Sequence, residues 1–423
     1  MAIFLAVAIS VTCTAAIAVF LLNISTGEQK IQHRVHRAYG VADEQFGRTM
    51  SNLLSPPLTP GNRIQTLLNG DQIFPAMLDA IRAAERTICF ETYIYWSGRI
   101  GEAFTEALAE RASGGVRVHV LLDALGSGRS DPAMLQRMRE AGCEVDLYHA
   151  TRFKHLARMN NRTHRKLLVV DGRVGFTGGV GIADPWLGHA QDPDHWRDVH
   201  YRLDGPAVAQ MQTAFLDNWM KTRGEVLHNA DYYPALDPAG ECLAQVFTSS
   251  PREGADSARL LYLLSITCAT RTLDIANSYF VPDDLSVQTL VDAAKRGVRV
   301  RIIVPGEHID TRITRRASRA RWGPLLQAGI EIHEYQPTMY HCKVMTIDGL
   351  WCSVGSTNFD NRSFRLNDEA NLNVLDHEFA GEQTRQFEAD LLHARQITLE
   401  MWRRRPLREK VIERTAELLR SQV

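Results

Sequence analysis

The chain opens on one long apolar run and then changes to short alternating blocks. From Ala2 to Leu22 the side chains are apolar apart from Ser10, Thr12 and Thr14, and no charged residue precedes Glu28. At ~1.5 Å per residue a helix over this stretch spans about 31 Å, enough to cross a bilayer core, which predicts an N-terminal transmembrane helix within residues 1–23. A cleaved signal peptide fits less well. Ala16-Ile17-Ala18 resembles a cleavage site, but no basic residue precedes the run and apolar residues continue past it. Lys30, Arg34 and Arg37 follow the run closely, so the positive-inside rule puts the rest of the chain on the cytoplasmic side.

Residues 24–62 read as a polar juxtamembrane segment and linker ending in Ser55-Pro56-Pro57-Leu58-Thr59-Pro60-Gly61. Beyond it the pattern repeats. Thr87 to Tyr95 leads through the amphipathic stretch Ile100 to Ala112 to the β-branched run Gly115 to Leu122. Thr272 to Phe280 leads through Leu285 to Lys295 to Gly297 to Val304. Each block predicts strand, helix, strand, which is α/β grammar. A period of about 180 residues is too long for a solenoid, so the expectation is two similar lobes, residues 63–235 and 236–423, sharing one interface.

Composition narrows the picture without choosing a substrate. With 45% hydrophobic and 23% charged residues in 423, the chain can bury two cores. Its net charge of −1 argues against a broad nucleic-acid surface. Seven widely spaced cysteines without a Cys-x-x-Cys pair suggest reduced thiols, with neither a zinc site nor a disulfide framework.

The candidate chemistry lies in a motif that occurs once per lobe. His164-Arg-Lys166-Leu-Leu-Val-Val-Asp171-Gly172 and His341-Cys-Lys343-Val-Met-Thr-Ile-Asp348-Gly349 both fit His-x-Lys-x4-Asp. The apolar run closing on Asp-Gly predicts a strand entering a turn, and residues two apart on a strand face the same way. His164 points with Lys166, and His341 with Lys343. An imidazole can attack or carry a proton near neutral pH, and an ammonium group beside it offsets phosphate charge. With 15 histidines one match would be weak evidence, but two at equivalent repeat positions are hard to dismiss. Gly178-Gly179 follows the first motif where Gly355-Ser356-Thr357-Asn358 follows the second. Small residues admit an anion to the backbone, and Ser or Asn can donate to its oxygens.

On these motifs the chain resembles the phospholipase D superfamily, specifically its bacterial cardiolipin synthase-like branch. Arg162-Thr-His164, Phe176-Thr-Gly-Gly179, Trp196-Arg-Asp198, His308-Ile-Asp-Thr311, Gly355 to Phe364 and Asn367-Asp-Glu369 are similar to that family's recurrent blocks. The resemblance implies two pseudo-twofold-related α/β sandwich lobes with one shared active site, preceded by the transmembrane helix in a bacterial-type inner membrane. It implies no metal and no cofactor. It assigns attack on phosphorus to His164 and proton transfer to His341, with Lys166, Lys343 and Asn358 on the non-bridging oxygens. It also gives a downstream acid to each histidine, Asp198 matching His164 and Glu369 matching His341. Ser356 and Gly179 join the supporting or phosphate-binding set. Asp171 and Asp348 complete the catalytic motifs, with a role in ordering the turn rather than touching substrate.

The chain departs from the family at Gly181, where an asparagine is usual in both lobes, so one phosphate donor is missing from the first lobe. The expected substrates are phospholipids, with phosphatidylglycerol or a related lipid as donor and a lipid alcohol as acceptor, and the expected partner is the membrane. A phospholipase D hydrolase releasing phosphatidic acid is the alternative. A nuclease of the same superfamily is disfavoured by neutral charge and anchor, and a non-catalytic scaffold by the complete His/Lys pairs. His155, His189, His195 and His333 lack repeat partners and read as structural. The basic run Arg312, Arg315, Arg316, Arg319, Arg321 reads equally as a solvated helix face or an attractor of anionic headgroups. Glu91, Tyr93, Asn277 and Tyr279 end the repeated strands, where they line the cleft or pack in the core.

Overall fold

The computed structural model describes residues 31–148, 160–251 and 256–418, together with Phe4, Ser10 and Thr14. Those three positions apart, the expected transmembrane helix lies outside the described residues, as does His155. Among the described residues no helix is long and apolar enough to cross a membrane.

Among the described residues sixteen strands form one sheet. The first half carries β1 (Thr59–Leu68), β2 (Thr87–Thr92), β3 (Arg117–Asp123), β4 (Glu144–Tyr148), β5 (Arg162–Thr163), β6 (Leu167–Val170), β7 (Val174–Gly178) and β8 (Val199–Asp204). The second carries β9 (Cys242–Ser249), β10 (Thr272–Asn277), β11 (Arg299–Pro305), β12 (Glu331–Tyr335), β13 (Lys343–Ile347), β14 (Trp351–Gly355), β15 (Asn367–Leu375) and β16 (Ala394–Ile397). β1 and β9 pair antiparallel at the centre. Outward from them run β8-β7-β6-β2-β3-β4 on one side and β15-β14-β13-β10-β11-β12-β16 on the other. Apart from the added edge strand β16 the two successions are the same. Like strands meeting antiparallel give the halves a pseudo-twofold relation, but as halves of one continuous sheet rather than two separate sandwiches.

Both faces of this sheet are covered, which explains the unbroken apolar runs. In β6, Leu168 and Val170 enter the core beneath helices Asn69–Arg82 and Arg99–Ser113, while Leu167 and Val169 enter a core on the opposite face. That opposite core mixes side chains of both halves with helices Val208–Arg223 and His377–Leu391, and it fixes the halves to each other. A third core lies under helices Ser257–Cys268, Asp284–Lys295 and Arg312–Gln327.

The segment expected to be a linker is largely part of the second lobe. Helix Glu44–Leu53 buries Phe46 and Met50 in that lobe's core, where Phe46 meets Trp351 edge-on at 5.0 Å, and Val41 and Leu54 are buried with them. Each fully buried side chain of this size contributes about 1.5–3 kcal/mol, enough to hold the segment down. β1 begins at Thr59, inside the expected linker, because the central sheet needs a strand between β8 and β9.

Candidate active site

Both motifs leave their own half of the sheet before they turn back into it. Arg162 and Thr163 pair parallel with Asn367 and Asp368 at the start of β15, and the His164 N–H donates to the Asp368 carbonyl at 2.9 Å. In the mirrored arrangement Tyr340 bridges Arg197 in parallel, and the His341 N–H donates to the Arg197 carbonyl at 2.8 Å. Each histidine is thereby delivered to the acid of the other lobe. His164 Nδ1 lies 3.0 Å from both carboxylate oxygens of Glu369, and His341 Nδ1 lies 2.8 Å from Asp198 Oδ2. The expected assignment of Asp198 to His164 and Glu369 to His341 is therefore reversed: the pairs cross between lobes. With Nδ1 of each ring committed to a carboxylate, Nε2 is the nitrogen left for chemistry.

The side chains His164, Lys166, His341 and Asn358 face one cavity of about 510 Å³. Lys166 Nζ donates to the His164 carbonyl at 2.8 Å and lies 5.7 Å over the Tyr93 ring. Lys343 is buried behind the wall. Its Nζ donates to Ser278 Oγ at 2.7 Å and to the His341 carbonyl at 2.6 Å, and lies 3.2 Å from His341 Nε2. Ser278 in turn donates to Asn358 Oδ1 at 2.7 Å, so lysine, serine and asparagine form one hydrogen-bonded row.

Ser356 and Gly179 serve the acids rather than the cavity. Ser356 Oγ donates to Glu369 Oε2 at 2.5 Å, and Asn367 donates to Oε1 at 3.2 Å. A Cβ on Gly179 would stand 2.1 Å from Asp198 Oδ1, so only glycine admits that carboxylate. Trp186 supplies the missing donor there, its Nε1 donating to Asp198 Oδ2 at 2.9 Å. A Cβ on Gly181 would meet Ile94 at 2.8 Å and Trp186 at 3.3 Å, which shows what occupies the space of the usual asparagine.

Asp171 and Asp348 sit at the far ends of their strands and clamp turns. Asp171 (φ 52°) accepts from the N–H groups of Glu85, Arg86 and Thr87 at 2.9, 2.7 and 2.8 Å. Asp348 (φ 55°) accepts from those of Thr270, Arg271 and Thr272 at 2.8, 2.7 and 2.8 Å. Neither lines the cavity. Tyr93 and Tyr279 do, whereas Glu91 and Asn277 are buried behind it. His189 and His195 rest against Asp71 and Asp192 at 3.2 and 2.7 Å, and His333 lies within β12. Arg315, Arg319 and Arg321 are spent on Glu334, Glu413 and Glu417, leaving Arg312 and Arg316 as the exposed part of the basic run.

Charge in the site follows from burial. Burial drives the His164 pKa down to about 4 against the opposing pull of Glu369, and Lys166 adds to the depression. Burial likewise brings Lys166 to about 7 and Lys343 to about 8, and together with Lys343 it holds His341 below the ordinary histidine value. Burial would raise Asp198 and Glu369, but His341, Lys343 and Trp186 together at the first and His164, Lys166 and Ser356 together at the second outweigh it, and both carboxylates lie below their usual range. The site therefore holds ionised carboxylates beneath a neutral His164 and a His341 whose charged form burial disfavours, with two ammonium groups that titrate within reach of neutral pH.

Ser278, Trp186, Arg162, Arg362 and Asp310 were not singled out for the site from sequence. Aligning the repeated strands would have flagged Ser278, which stands where the first lobe has Tyr93. Trp186 carries no such signal, because its role depends on Gly179 and Gly181 being small.

A family model described as the PLD-like domain of cardiolipin synthase matches residues 77–194 and 262–391. The chain belongs to that family. A cardiolipin synthase of Geobacillus kaustophilus is 35% identical over 366 residues, covering 86% of this chain and 73% of that protein. Cardiolipin synthase A of Pseudomonas fluorescens is 34% identical over 396 residues, 93% of this chain and 80% of that one. The fold also matches the crystal structure of phosphatidylserine synthase from Haemophilus influenzae, with a TM-score of 0.68 at 14% identity over 89% of this chain and 99% of that one. As a member of the family the protein is a cardiolipin synthase-like phospholipid enzyme of the PLD-like phosphatidyltransferases, and the two halves of the sheet are its two PLD-like units.

Proposed function

We propose that the protein transfers a phosphatidyl group from phosphatidylglycerol or a related phospholipid to the alcohol of a second lipid through a covalent phosphatidyl-histidine. The observation that carries this reading is the pair of imidazoles, each with Nδ1 on a carboxylate of the other lobe and both lining one cavity. In the first half His164 Nε2 attacks phosphorus, the P–O bond to the headgroup breaks, and His341 Nε2 gives a proton to the departing alkoxide. In the second half His341 takes the proton of the incoming hydroxyl, its oxygen bonds phosphorus, and the N–P bond breaks. Each half is an in-line displacement with proton help, easier than one uncatalysed exchange. Lys166, Lys343 through Ser278, and Asn358 offset the charge that shifts onto the non-bridging oxygens. The phosphate arriving between the two ammonium groups favours their protonated forms.

Enzyme supplied with labelled phosphatidylglycerol in mixed micelles should yield cardiolipin and glycerol. Phosphatidic acid as the sole lipid product would instead assign a phospholipase D hydrolase. The apolar stretch from Ala2 to Leu22 supports a further part of the proposal, an inner-membrane tether with the catalytic part on the cytoplasmic side, which holds the site beside substrates that stay in the bilayer.

The direction of each pKa shift sets an expected pH profile. Catalysis needs His164 neutral, so kcat/KM should fall on the acid side as pH passes about 4. With a lipid donor the alkaline limb should lie below the ordinary histidine pKa, because His341 must carry a proton. A donor with an acidic phenol as leaving group needs no such proton, and its alkaline limb should move up to the titration of Lys166 near about 7. Identical profiles for the two donors would count against His341 as the acid.

A further inference from the structure

The catalytic groups of the cavity are duplicated, but among the described residues its walls are not. Three aromatic rings surround His341: Trp186 at 5.3 Å, Trp196 at 5.5 Å and Tyr279 at 6.2 Å between ring centres. Trp186 and Trp196 also touch each other, with centres 4.4 Å apart. Among the described residues His164 has a single such neighbour, Tyr93 at 5.3 Å. The strand registers give the counterparts in the other half. Tyr279 stands where the first half has Ile94, and Trp196 stands where the second has Asn367. Trp186 lies beyond the Ile182 bridge as Ser363 lies beyond the Phe359 bridge. Beside the aromatic wall, Asp310 accepts from the Tyr279 hydroxyl at 2.6 Å, and Thr311 and Thr314 line the same side. Among the described residues the cavity's other charged lining groups are Arg162, Arg362, Asp360 and Lys166.

In-line displacement places the leaving and entering oxygens opposite His164 Nε2, which is the His341 side. The group attached to that oxygen must therefore occupy the space among the three rings. A water molecule needs two to four polar partners to be held, and ring faces supply none. A polyol is better suited: its C–H groups cover aromatic surface while a second hydroxyl reaches a carboxylate. We propose that Trp186, Trp196, Tyr279 and Asp310 form the alcohol subsite. It takes a headgroup of glycerol type and sets the partition of the phosphatidyl-histidine between alcohol and water. The inference rests on the transfer reading above. In the step concerned the acceptor O–P bond forms, the His164 N–P bond breaks and the hydroxyl proton passes to His341.

The test uses the full chain in mixed micelles of phosphatidylglycerol and measures the ratio of phosphatidic acid to cardiolipin. Trp196→Ala should raise that ratio about tenfold while total phosphatidyl release falls far less. Asp310→Asn, an isosteric change at an exposed position, guards against a folding defect. It should lower transfer to added glycerol about tenfold relative to transfer to ethanol, which has no second hydroxyl. Wild-type enzyme yielding phosphatidic acid alone would overturn the transfer reading and the subsite together. Wild-type enzyme yielding cardiolipin, with both ratios unchanged in the variants, would overturn the subsite alone. A parallel fall of all products in both variants would also overturn it and make the wall merely a support for His341.

Discussion

Alanine at His164 is expected to abolish turnover, by about 10⁴-fold or more, and to abolish covalent labelling of the protein by a donor labelled at phosphorus. The Nδ1 of His164, like that of His341, is tied to a fully buried carboxylate, and its pKa of about 4 leaves it unprotonated at neutral pH, as a nucleophile must be. His341 stands against the aromatic wall beside Lys343 and is arranged for a different task. Alanine at His341 should cost about 10²–10⁴-fold with a lipid donor, because the alkoxide must then leave without its proton. A donor with a phenolic leaving group separates the two roles. It should still label the His341 variant, and the label should persist because nothing deprotonates the acceptor. Recovery of the label on His341 in the wild-type enzyme would reverse the assignment.

The second large effect concerns the crossed acids. Glu369→Gln removes the charge that fixes the His164 tautomer and should slow formation of the labelled intermediate by about 10³-fold. Asp198→Asn, acting on His341, should leave labelling by a phenolic donor close to wild type and slow its loss to acceptor. Pairing within each lobe would give the opposite pattern, so rapid-quench labelling of the two variants discriminates cleanly. Both acids are buried and multiply hydrogen-bonded, Glu369 by Ser356 and Asn367, Asp198 by Trp186, so the near-isosteric amides are the informative replacements. Truncation would add the cost of unpaired partners.

The crossing also explains several residues that sequence reasoning had set on the substrate. Ser356 and Gly179 occupy equivalent positions, and each answers to the acid of its own lobe, one by donating a hydrogen bond and the other by making room. The missing asparagine at Gly181 belongs to the same change. Trp186 fills that space, donates to Asp198 and forms one ring of the wall around His341. What looked like a lost phosphate donor in the first lobe is a local exchange of polar side chains for an indole. Asp171 and Asp348 behave as turn residues in an Asp-Gly hairpin should, their carboxylates ordering the start of β2 and β10.

The sequence by itself determined the duplicated α/β organisation, the two His/Lys pairs and their common facing, and the asymmetry at Gly179 and Gly181. These are local facts: strand parity, apolar runs and turn residues are written in neighbouring positions, and a repeat displays them twice. Only the tertiary structure decided which acid serves which histidine. A duplicated chain offers each histidine two equivalent acids, and the choice lies in short parallel pairings between β5 and β15 and between Tyr340 and Arg197, contacts between halves that leave no periodic trace. The same holds for helix Glu44–Leu53, polar enough to read as a linker yet anchored on the second lobe by Phe46 and Met50. It holds as well for the aromatic wall, where Trp186 and Trp196 of the first half meet Tyr279 of the second around His341 only because the sheet brings both halves to one cavity.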